Sequence, residues 1–543
     1  MLIILAGQEL EKEGRLRILQ PVWTERATKS SGRDPLGMQA TSVRIYRTLV
    51  PGLTNVTNRL RYYSFYCWAV ATFNRELHNN DTAHWRRFIR RAEALLVLAS
   101  YRHDKERSGG MAGREWAERL DRENLLDGLD FLDLSIQDTA TTRAKSLDSY
   151  LAAPGGNFGQ FYIASMLEVG LLAPSKGVPL IADGPGRAMA AAYRQAVGPA
   201  GDLALQAILN GRVATADLEA IGQAMGPHRI QPASDEMALL RGFIRGDGGR
   251  ANVGSARRSS AWLLMHYMLR LQEVGGDPTK HKDDHVREAF YNGLMPSKQP
   301  FEAPGGTIKV WRAYQANELC HAALAAIFNV MLNHAEEHDD RLAPDVLCDE
   351  VAGRLSEAVG GTATWADWAE DCGGRFTRRE AELEEKIRLC LVKLPKEDRL
   401  PHGAIEALQL LGTLWARWSS GQDGVLAVVD RHSGGGARSL SAVLRTLNDH
   451  RHSPLAQALA TVMRRHLVRQ HLEIAGHKLL ANSLDTFHFT IEDGRVRESY
   501  TRAFFNTAPR LTNLSRFLED AGYHEGNRLT PDGHAFLDNH APD

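Results

Sequence analysis

The feature that most constrains the fold of this chain is the spacing of its apolar side chains, which recur every three or four residues over much of its length. Large side chains at positions 63, 66, 70, 73 and 77 fall on one face of a helix, and the stretch from 85 to 99 repeats the pattern. Similar spacing predicts helices at 261–274, 311–334 and 453–479. Glycine and proline separate these stretches. The sequence therefore predicts a mainly α, multi-domain helical protein.

Two segments combine helices with short β-capable runs. Each reads as helix, glycine, apolar residue, polar turn, short strand, Asp-Gly turn and helix, first within 155–197 and again within 511–537. Winged-helix modules often close in this order. We therefore predict two winged-helix-like (α+β) elements, the second preceded by a hairpin over 485–500.

The length of 543 residues suggests about three or four domains. The breaks in the pattern predict four consecutive segments: an N-terminal helical module with a basic and aromatic motif over 1–120, a winged-helix-like element over 121–200, a central helical domain over 201–450, and a long helix plus winged-helix-like domain over 451–543.

Composition excludes several classes of protein. The formal net charge of −1 gives no whole-molecule attraction to nucleic acid or anionic membrane, so any such attraction must be local. The five cysteines form no C-x-x-C pair, which argues against a disulfide framework or thiolate zinc site and fits a reducing cytoplasm. Neither a signal peptide nor an apolar run of about 18 residues is apparent, so we expect no membrane span.

The sharpest enzyme motif is H-x-x-E-H, formed by His334, Glu337 and His338. Histidines four residues apart on a helix can share one metal ion, which would make the protein a metal-dependent hydrolase. Against this, the acid-rich stretch 336–350 favours a solvated loop. A second His- and Asp-containing stretch, 281–285, follows a Gly-Pro turn and is better interpreted as a polar loop.

Other catalytic motifs do not occur in the sequence. It contains neither the phosphate-binding G-x-x-x-x-G-K-[ST] loop nor the G-x-S-x-G elbow. A cryptic nuclease centre stays open, with Glu492 and Asp493 on the predicted hairpin as the nearest acids. We assign no catalytic residue and no cofactor from the sequence.

Local positive charge points to nucleic acid near the C-terminus. Arginines there outnumber acids, and we predict five of them as phosphate contacts: Arg464, Arg465, Arg469, Arg510 and Arg516. Arginines on a helix and wing can hold phosphates, and this contribution dominates non-specific affinity. The alternative is that they are solvated or pair with the acidic stretch 336–350.

A second basic stretch interleaves Arg59 and Arg61 with aromatic side chains. This mixture is used to stack bases and hold phosphates. The competing interpretation places Tyr63 and Tyr66 in the core and pairs the two arginines with carboxylates such as Asp34.

Three runs near the N-terminus carry a family resemblance: R-D-P-L-G at 33–37, L-V-P-G-L-T-N at 49–55 and R-L-R-Y-Y-S-F-Y-C-W at 59–68. They resemble the opening motif of uncharacterised bacterial proteins, in which an R-D-x-L-G turn leads to a P-G-T-type loop and an R-x-R-Y aromatic helix. The run at 90–93 and the helix from Trp311 through Glu318 are also similar. The resemblance implies an accessory subunit, because such proteins tend to be encoded beside helicases or nucleases in mobile or antiviral-defence clusters.

These observations lead to one prediction and two alternatives. We predict a non-enzymatic, DNA-associated accessory or adaptor subunit of a bacterial defence or DNA-processing complex, cytoplasmic and without membrane contact. Its partners would be other protein subunits, such as a helicase or nuclease, and DNA. The alternatives are a metal-dependent hydrolase or cryptic nuclease, and a purely structural scaffold.

Overall fold

A computed structural model describes most of the chain. The described residues are 28–29, 34–54, 59–76, 80–138, 149–247, 251–276, 283–337, 341–361, 363–392, 403–434, 436, 438–482, 484–498, 507 and 510–542.

Helices dominate the described residues, as the apolar spacing predicts. The helices are α1 (Gln39–Leu49), α2 (Tyr62–Glu76), α3 (Thr82–His103), α4 (Arg114–Arg122), α5 (Leu125–Gly128), α6 (Ile163–Glu168), α7 (Pro185–Val197), α8 (Pro199–Asn210), α9 (Leu218–Met225), α10 (Asp235–Arg245), α11 (Ala251–Glu273), α12 (Asp283–Asn292), α13 (Thr307–Glu337), α14 (Pro344–Ala358), α15 (Trp365–Phe376), α16 (Glu380–Val392), α17 (Ala404–Trp418), α18 (Val425–Ser433), α19 (Leu440–Asp449), α20 (Leu455–Val462), α21 (Gln470–Asn482), α22 (Leu511–Asp520) and α23 (Pro531–Asn539). Wider π-helical turns occupy Phe158–Tyr162 and Met463–Arg469, and 3₁₀ turns occupy Ser135–Asp138 and Thr215–Asp217.

The strands are short and pair only two at a time among the described residues. They are β1 (Thr28–Lys29), β2 (Phe131–Asp133), β3 (Leu172–Ala173), β4 (Leu180–Ile181), β5 (Arg212–Ala214), β6 (Leu484–Asp485), β7 (Phe489–Glu492), β8 (Arg495–Glu498), β9 (His524–Glu525) and β10 (Arg528–Leu529). The antiparallel pairs are β2–β5, β3–β4, β7–β8 and β9–β10, and β1 pairs with β6 in parallel. The predicted hairpin near 490 is confirmed as β7–β8.

Helix starts follow from capping side chains. Asp81, Ser234, Thr364, Ser439 and Thr530 each accept a hydrogen bond from a backbone N–H in the first turn of the helix that follows. These bonds satisfy N–H groups that have no partner inside the helix.

The chain forms two compact units, each built from segments distant in sequence. The first unit comprises the described residues of 1–46, 290–292 and 309–507, and the second those of 47–289, 293–308 and 508–543. This grouping differs from the four consecutive segments predicted above.

The core of the first unit lies between long helices. Helix α13 is buried along its length, with Leu324 and Ile327 fully inside. Helix α15 packs closely against α17, where Trp365 is also fully buried. Helix α13 is therefore an interior helix, and it also encloses polar side chains such as Asn317 and His321.

The core of the second unit is aromatic. Helix α2 places Tyr63 and Tyr66 inside, and both rings contact Tyr162 on the π-helical turn before α6. Helices α3 and α7 both pack against α2, and these contacts help to enclose the two tyrosines. The prediction that Tyr63 and Tyr66 belong to the core is confirmed.

Two acidic stretches predicted as loops begin helices instead. Helix α14 starts at Pro344, inside the stretch 336–350, and α12 starts at Asp283, inside the stretch 281–285. Asp345 of α14 and Asp283 and Asp284 of α12 lie in first turns, where the positive end of the helix dipole stabilises acids. Residues 281–282 lie outside the described residues.

None of the described helices combines the length and apolarity needed to cross a bilayer.

Candidate functional site

The first half of the N-terminal motif is held inside the first unit by the long helical stretch near the C-terminus. The Pro35 carbonyl accepts from His471 Nδ1 at 3.1 Å, and the Asp34 carbonyl accepts from Lys478 Nζ at 3.2 Å. Gln470 donates to the Leu36 carbonyl. Leu36 is fully buried, so this turn is an internal anchor.

His471 is locked in one neutral form by these contacts. Its Nδ1–H donates to Pro35, and its Nε2 accepts the backbone N–H of His488 at 2.9 Å. A proton on Nε2 would face that N–H. Burial, followed by the nearby His488, lowers the pKa of His471 to about 3. The hydrogen-bond pattern and the pKa therefore agree on an uncharged ring.

The second half of the motif lies in the second unit, where two acids hold its backbone. Glu168 Oε2 accepts the N–H of Gly52 at 3.0 Å, and Asp520 Oδ2 accepts the N–H of Leu60 at 2.9 Å. Arg510 donates to the Leu53 carbonyl. Residues 55–58, between these contacts, lie outside the described residues.

The two acids belong to the two elements that were predicted to be alike. In each element a helix ends at a glycine of positive φ, Gly170 at 77° after α6 and Gly522 at 75° after α22. The next N–H returns to the helix at 2.9 Å, from Leu171 to the Met166 carbonyl and from Tyr523 to the Leu518 carbonyl. This is the usual glycine-terminated helix end.

The hairpins that follow also match. Leu172 pairs with Ile181 in β3–β4, as His524 pairs with Leu529 in β9–β10. The residue after each hairpin donates its N–H back at 3.1 Å, Ala182 to the Leu171 carbonyl and Thr530 to the Tyr523 carbonyl. The predicted order of elements is confirmed twice.

A second glycine in each element lets the helix after the hairpin pack closely against the hairpin backbone. A Cβ on Gly186 would lie 2.3 Å from the Leu171 carbonyl oxygen, and one on Gly533 would lie 2.1 Å from that of Tyr523. Both glycines therefore allow close contact between a helix and the same point of each hairpin. We call 163–197 and 511–539 the paired elements.

Glu168 and Asp520 occupy the same place in the paired elements, two residues before the glycine. Burial raises the pKa of Asp520 to about 6, although the Arg59 guanidinium and the Leu60 N–H favour its charged form. The paired elements thus hold the two ends of segment 52–60 by equivalent carboxylates.

Arg59 and Arg61 pair with carboxylates, as one of the two sequence interpretations expected, though not with Asp34. Arg61 lies 2.9 Å from Glu236, and both side chains are almost completely buried. Arg59 lies 3.1 Å from Asp520. Because a polyanion does not reach a buried guanidinium, the burial of Arg59 and Arg61 argues against both as phosphate contacts.

The run at 90–93 is likewise internal. Arg90 is fully buried and donates to the carbonyls of Gln137, Ala153 and Leu151. Glu93 accepts the N–H groups of Asn157 at 2.8 Å and Phe158 at 2.7 Å. Burial raises the pKa of Glu93. These residues fix the turn that precedes α6.

Three of the five C-terminal arginines lie on the π-helical turn of the first unit. Arg464 contacts Asp345 at 3.0 Å and also Asp349, both on α14. Arg469 contacts Glu473 at 3.0 Å, and Arg465 is exposed. The alternative that these arginines pair with the stretch 336–350 is confirmed for Arg464.

The other two C-terminal arginines belong to the second unit. Arg510 donates to Leu53, as described, and Arg516 pairs with Glu519 on the same helix. One helix-and-wing module therefore does not carry all five arginines, because they divide between the two units.

The H-x-x-E-H stretch closes α13. His334 is buried and uses both ring nitrogens, Nε2 with Glu350 at 3.0 Å and Nδ1 with Arg354 at 2.7 Å. The helix continues to Glu337, and His338 lies outside the described residues. Within the described part of the chain, no three His, Cys, Asp or Glu side chains cluster as metal ligands.

The described cysteine thiols are buried, and the hairpin acid Glu492 is ion-paired. Cys67, Cys320, Cys348 and Cys372 are unpaired and buried, and burial raises the pKa of Cys348 and Cys372 to about 12. A thiol with a raised pKa is a poor nucleophile at neutral pH. Glu492 on the β7–β8 hairpin pairs with Arg497 at 3.0 Å.

Sequence reasoning missed the acids that organise the second unit. Glu168, Asp520 and Glu236 were not singled out, since a single acid in a helix carries no sign of burial. The shared spacing of Glu168 and Asp520 before a glycine, within two segments of the same order, was the available signal.

Comparisons of this chain with protein-family models, curated proteins and solved structures found no match.

Proposed function

We propose that this protein is a non-enzymatic accessory subunit that binds other subunits of a bacterial DNA-processing or defence assembly. The observation that carries the proposal is the pair of equivalent elements in the second unit. Helix, hairpin and helix in this order are typical of winged-helix modules, which serve as docking modules for nucleic acid or protein. We interpret the pair as winged-helix-like, and two such elements in one unit favour a binding role.

The orientation of these elements favours protein over DNA as their partner. In winged-helix proteins that read DNA, the helix before the hairpin enters the major groove. Here Leu514 and Phe517 of that helix, α22, are buried, and Asn513 donates to the Thr54 carbonyl. Helix α22 therefore uses side chains to hold the segment 52–60. The exposed tips of the β3–β4 and β9–β10 hairpins are left to bind a partner.

DNA binding is a second candidate function, and the exposure of Arg465 and Arg469 supports it. Both are exposed on the π-helical turn, and the pair of Arg469 with Glu473 is between exposed groups. Such a pair is worth little, about 0–1 kcal/mol, so a phosphate can replace the carboxylate. The acids on α14 beside Arg464 oppose this contact, which makes it the weaker candidate.

The DNA contact is tested by a gel shift at several salt concentrations. Arg465→Ala with Arg469→Ala should reduce the slope of log affinity against log salt by about two. The matched control is Arg375→Ala with Arg379→Ala, two exposed, ion-paired arginines of the same unit. Binding that is equal in both double variants would remove DNA contact at this turn.

The protein-binding role is tested by native mass spectrometry of the chain purified from its own host. A stoichiometric complex with another protein is expected. A chain that is recovered alone over a range of salt concentrations would overturn the role.

The metal-dependent hydrolase is separated from these proposals by one measurement. Stoichiometric zinc in the purified protein that is lost in His334→Ala would favour the enzyme. The contacts of His334 with Glu350 and Arg354 favour instead a structural role for that ring.

A further inference from the structure

Exposed apolar side chains occur in and beside the β2–β5 sheet in the second unit. Phe131 is 56% exposed and Leu129 is 45% exposed. Ile136 and Leu209, also exposed, lie beside the sheet. Large apolar side chains that are exposed together mark an interaction site more often than isolated ones do.

Chain position and backbone hydrogen bonds place these residues near the sheet. Leu129 has extended backbone and lies two residues before Phe131, with a bend at Asp130 between them. The N–H groups of Leu134 and Ser135 both donate to the Gly211 carbonyl, at 2.8 and 3.0 Å, which places the 3₁₀ turn containing Ile136 against the end of α8. Leu209 lies at that end.

The hydrogen bonds of β2 show which of its backbone groups face outward. Thr215 N–H donates to the Asp130 carbonyl at 3.0 Å, and Leu134 N–H to the Gly211 carbonyl. In an antiparallel pair, every second residue of a strand directs its N–H and C=O groups toward the partner strand. Asp130 and Leu134 do so here, and Phe131 and Asp133 therefore direct their N–H and C=O groups away from β5. No other described strand pairs with this edge.

The charges around this face are mainly acidic. Asp133 is exposed on β2, Asp130 is exposed just before it, and Asp217 follows β5. Arg212 lies opposite Asp133 on β5, and its guanidinium carbon lies 5.3 Å from the centre of the Phe131 ring. Arg91, which pairs with Asp138, donates to the Leu209 carbonyl. An apolar face with an excess of carboxylates is complementary to a segment that combines apolar and basic side chains.

We propose that the outer edge of β2 binds an extended segment of a partner protein with alternating apolar side chains and flanking lysines or arginines. The segment adds a strand to β2 through the backbone groups of Phe131 and Asp133, and its apolar side chains cover Leu129 and Phe131. This inference rests on the proposed role as a binding subunit and adds a binding surface outside the paired elements.

Hydrogen exchange of the full chain tests the edge first. The amides of Phe131 and Asp133 should exchange at least tenfold faster than that of Leu132, which bonds to β5. Protection of both outer amides in the isolated protein would show that the chain itself occupies the edge and would overturn the proposal.

A synthetic peptide tests the occupant. The probe has seven residues, with valine and threonine alternating between terminal lysines, and its control carries terminal aspartates. Binding of the lysine peptide should protect the Phe131 amide and weaken at least tenfold in Phe131→Asp. It should be unchanged in Leu480→Asp, which alters a leucine that is 67% exposed in the first unit.

Several results would contradict the proposal. Equal binding of both peptides, equal binding to both variants, or self-association of the wild type that Phe131→Asp abolishes would each do so. In the native complex, a partner retained by Phe131→Asp rejects this surface alone, whereas a wild-type chain recovered without partners rejects the binding role itself.

Discussion

At the scale of single residues, burial decides what a charged side chain does. Arg61 lies in a run whose composition suggests phosphate binding, yet its guanidinium pairs with Glu236 inside the second unit and donates to two carbonyls. The apolar spacing predicted that Tyr63 and Tyr66 would be buried. It could not predict Glu236 as the partner of Arg61, because nothing local links positions so far apart in sequence.

Arg61→Ala should lower the free energy of unfolding of the second unit by about 3–5 kcal/mol, because it leaves the fully buried Glu236 without a counter-charge. Urea unfolding followed by tryptophan fluorescence measures the change. Arg122→Ala, which alters an exposed arginine on α4, should cost less than about 0.5 kcal/mol. A loss for Arg61→Ala as small as that of the control would contradict the structural role.

Lowering the pH from 7 to 5 should destabilise the first unit through His471. Its pKa is lowered to about 3 in the folded protein, so the folded ring stays neutral while the unfolded ring gains a proton below its ordinary pKa of about 6.5. The stabilisation is complete above that pH and is lost as the pH falls, by about 2 kcal/mol at pH 5.

Urea midpoints at the two pH values test this. His471→Gln keeps a donor and an acceptor but does not titrate, so its pH dependence should be smaller than that of the wild type. His452→Gln, at an exposed position, should behave as the wild type does. Identical pH dependence in His471→Gln and the wild type would contradict the neutral buried ring.

At the scale of elements, regular patterns were predictable and exceptions were not. Helices α2 and α22 lie within a residue or so of the predicted segments, because their apolar faces are clear. Acids at the start of α14 were misread as a solvated loop. The π-helical turn at Met463–Arg469 interrupts a stretch whose side-chain spacing reads as one continuous helix.

Glycine substitutions test the paired elements directly. Gly186→Ala and Gly533→Ala should each destabilise the second unit by more than about 1 kcal/mol, because the added Cβ would meet a backbone carbonyl. Gly353→Ala, within α14 and with no neighbour near the added atom, should instead be neutral or stabilising by up to about 1 kcal/mol. Thermal unfolding measures all three, and equal effects would contradict the close approach.

At the scale of the whole molecule, sequence predicted a mainly α protein but not how its segments combine. The first unit joins residues near position 35 to others near 470, and the second joins 52–60 to 510–520. Periodicity describes neighbours along a helix and holds no information about such distant partners. The same limit applies to the candidate site. The two similar elements could be recognised in the sequence, whereas their contacts with the segment 52–60 and the exposed edge of β2 could not.

We propose that this chain works by binding another protein, and native mass spectrometry of the complex purified from its host is the decisive measurement. We expect a defined assembly containing a second protein at fixed stoichiometry, stable when DNA is digested. A chain that is always recovered as a single species without a partner, whatever the salt concentration, would contradict it.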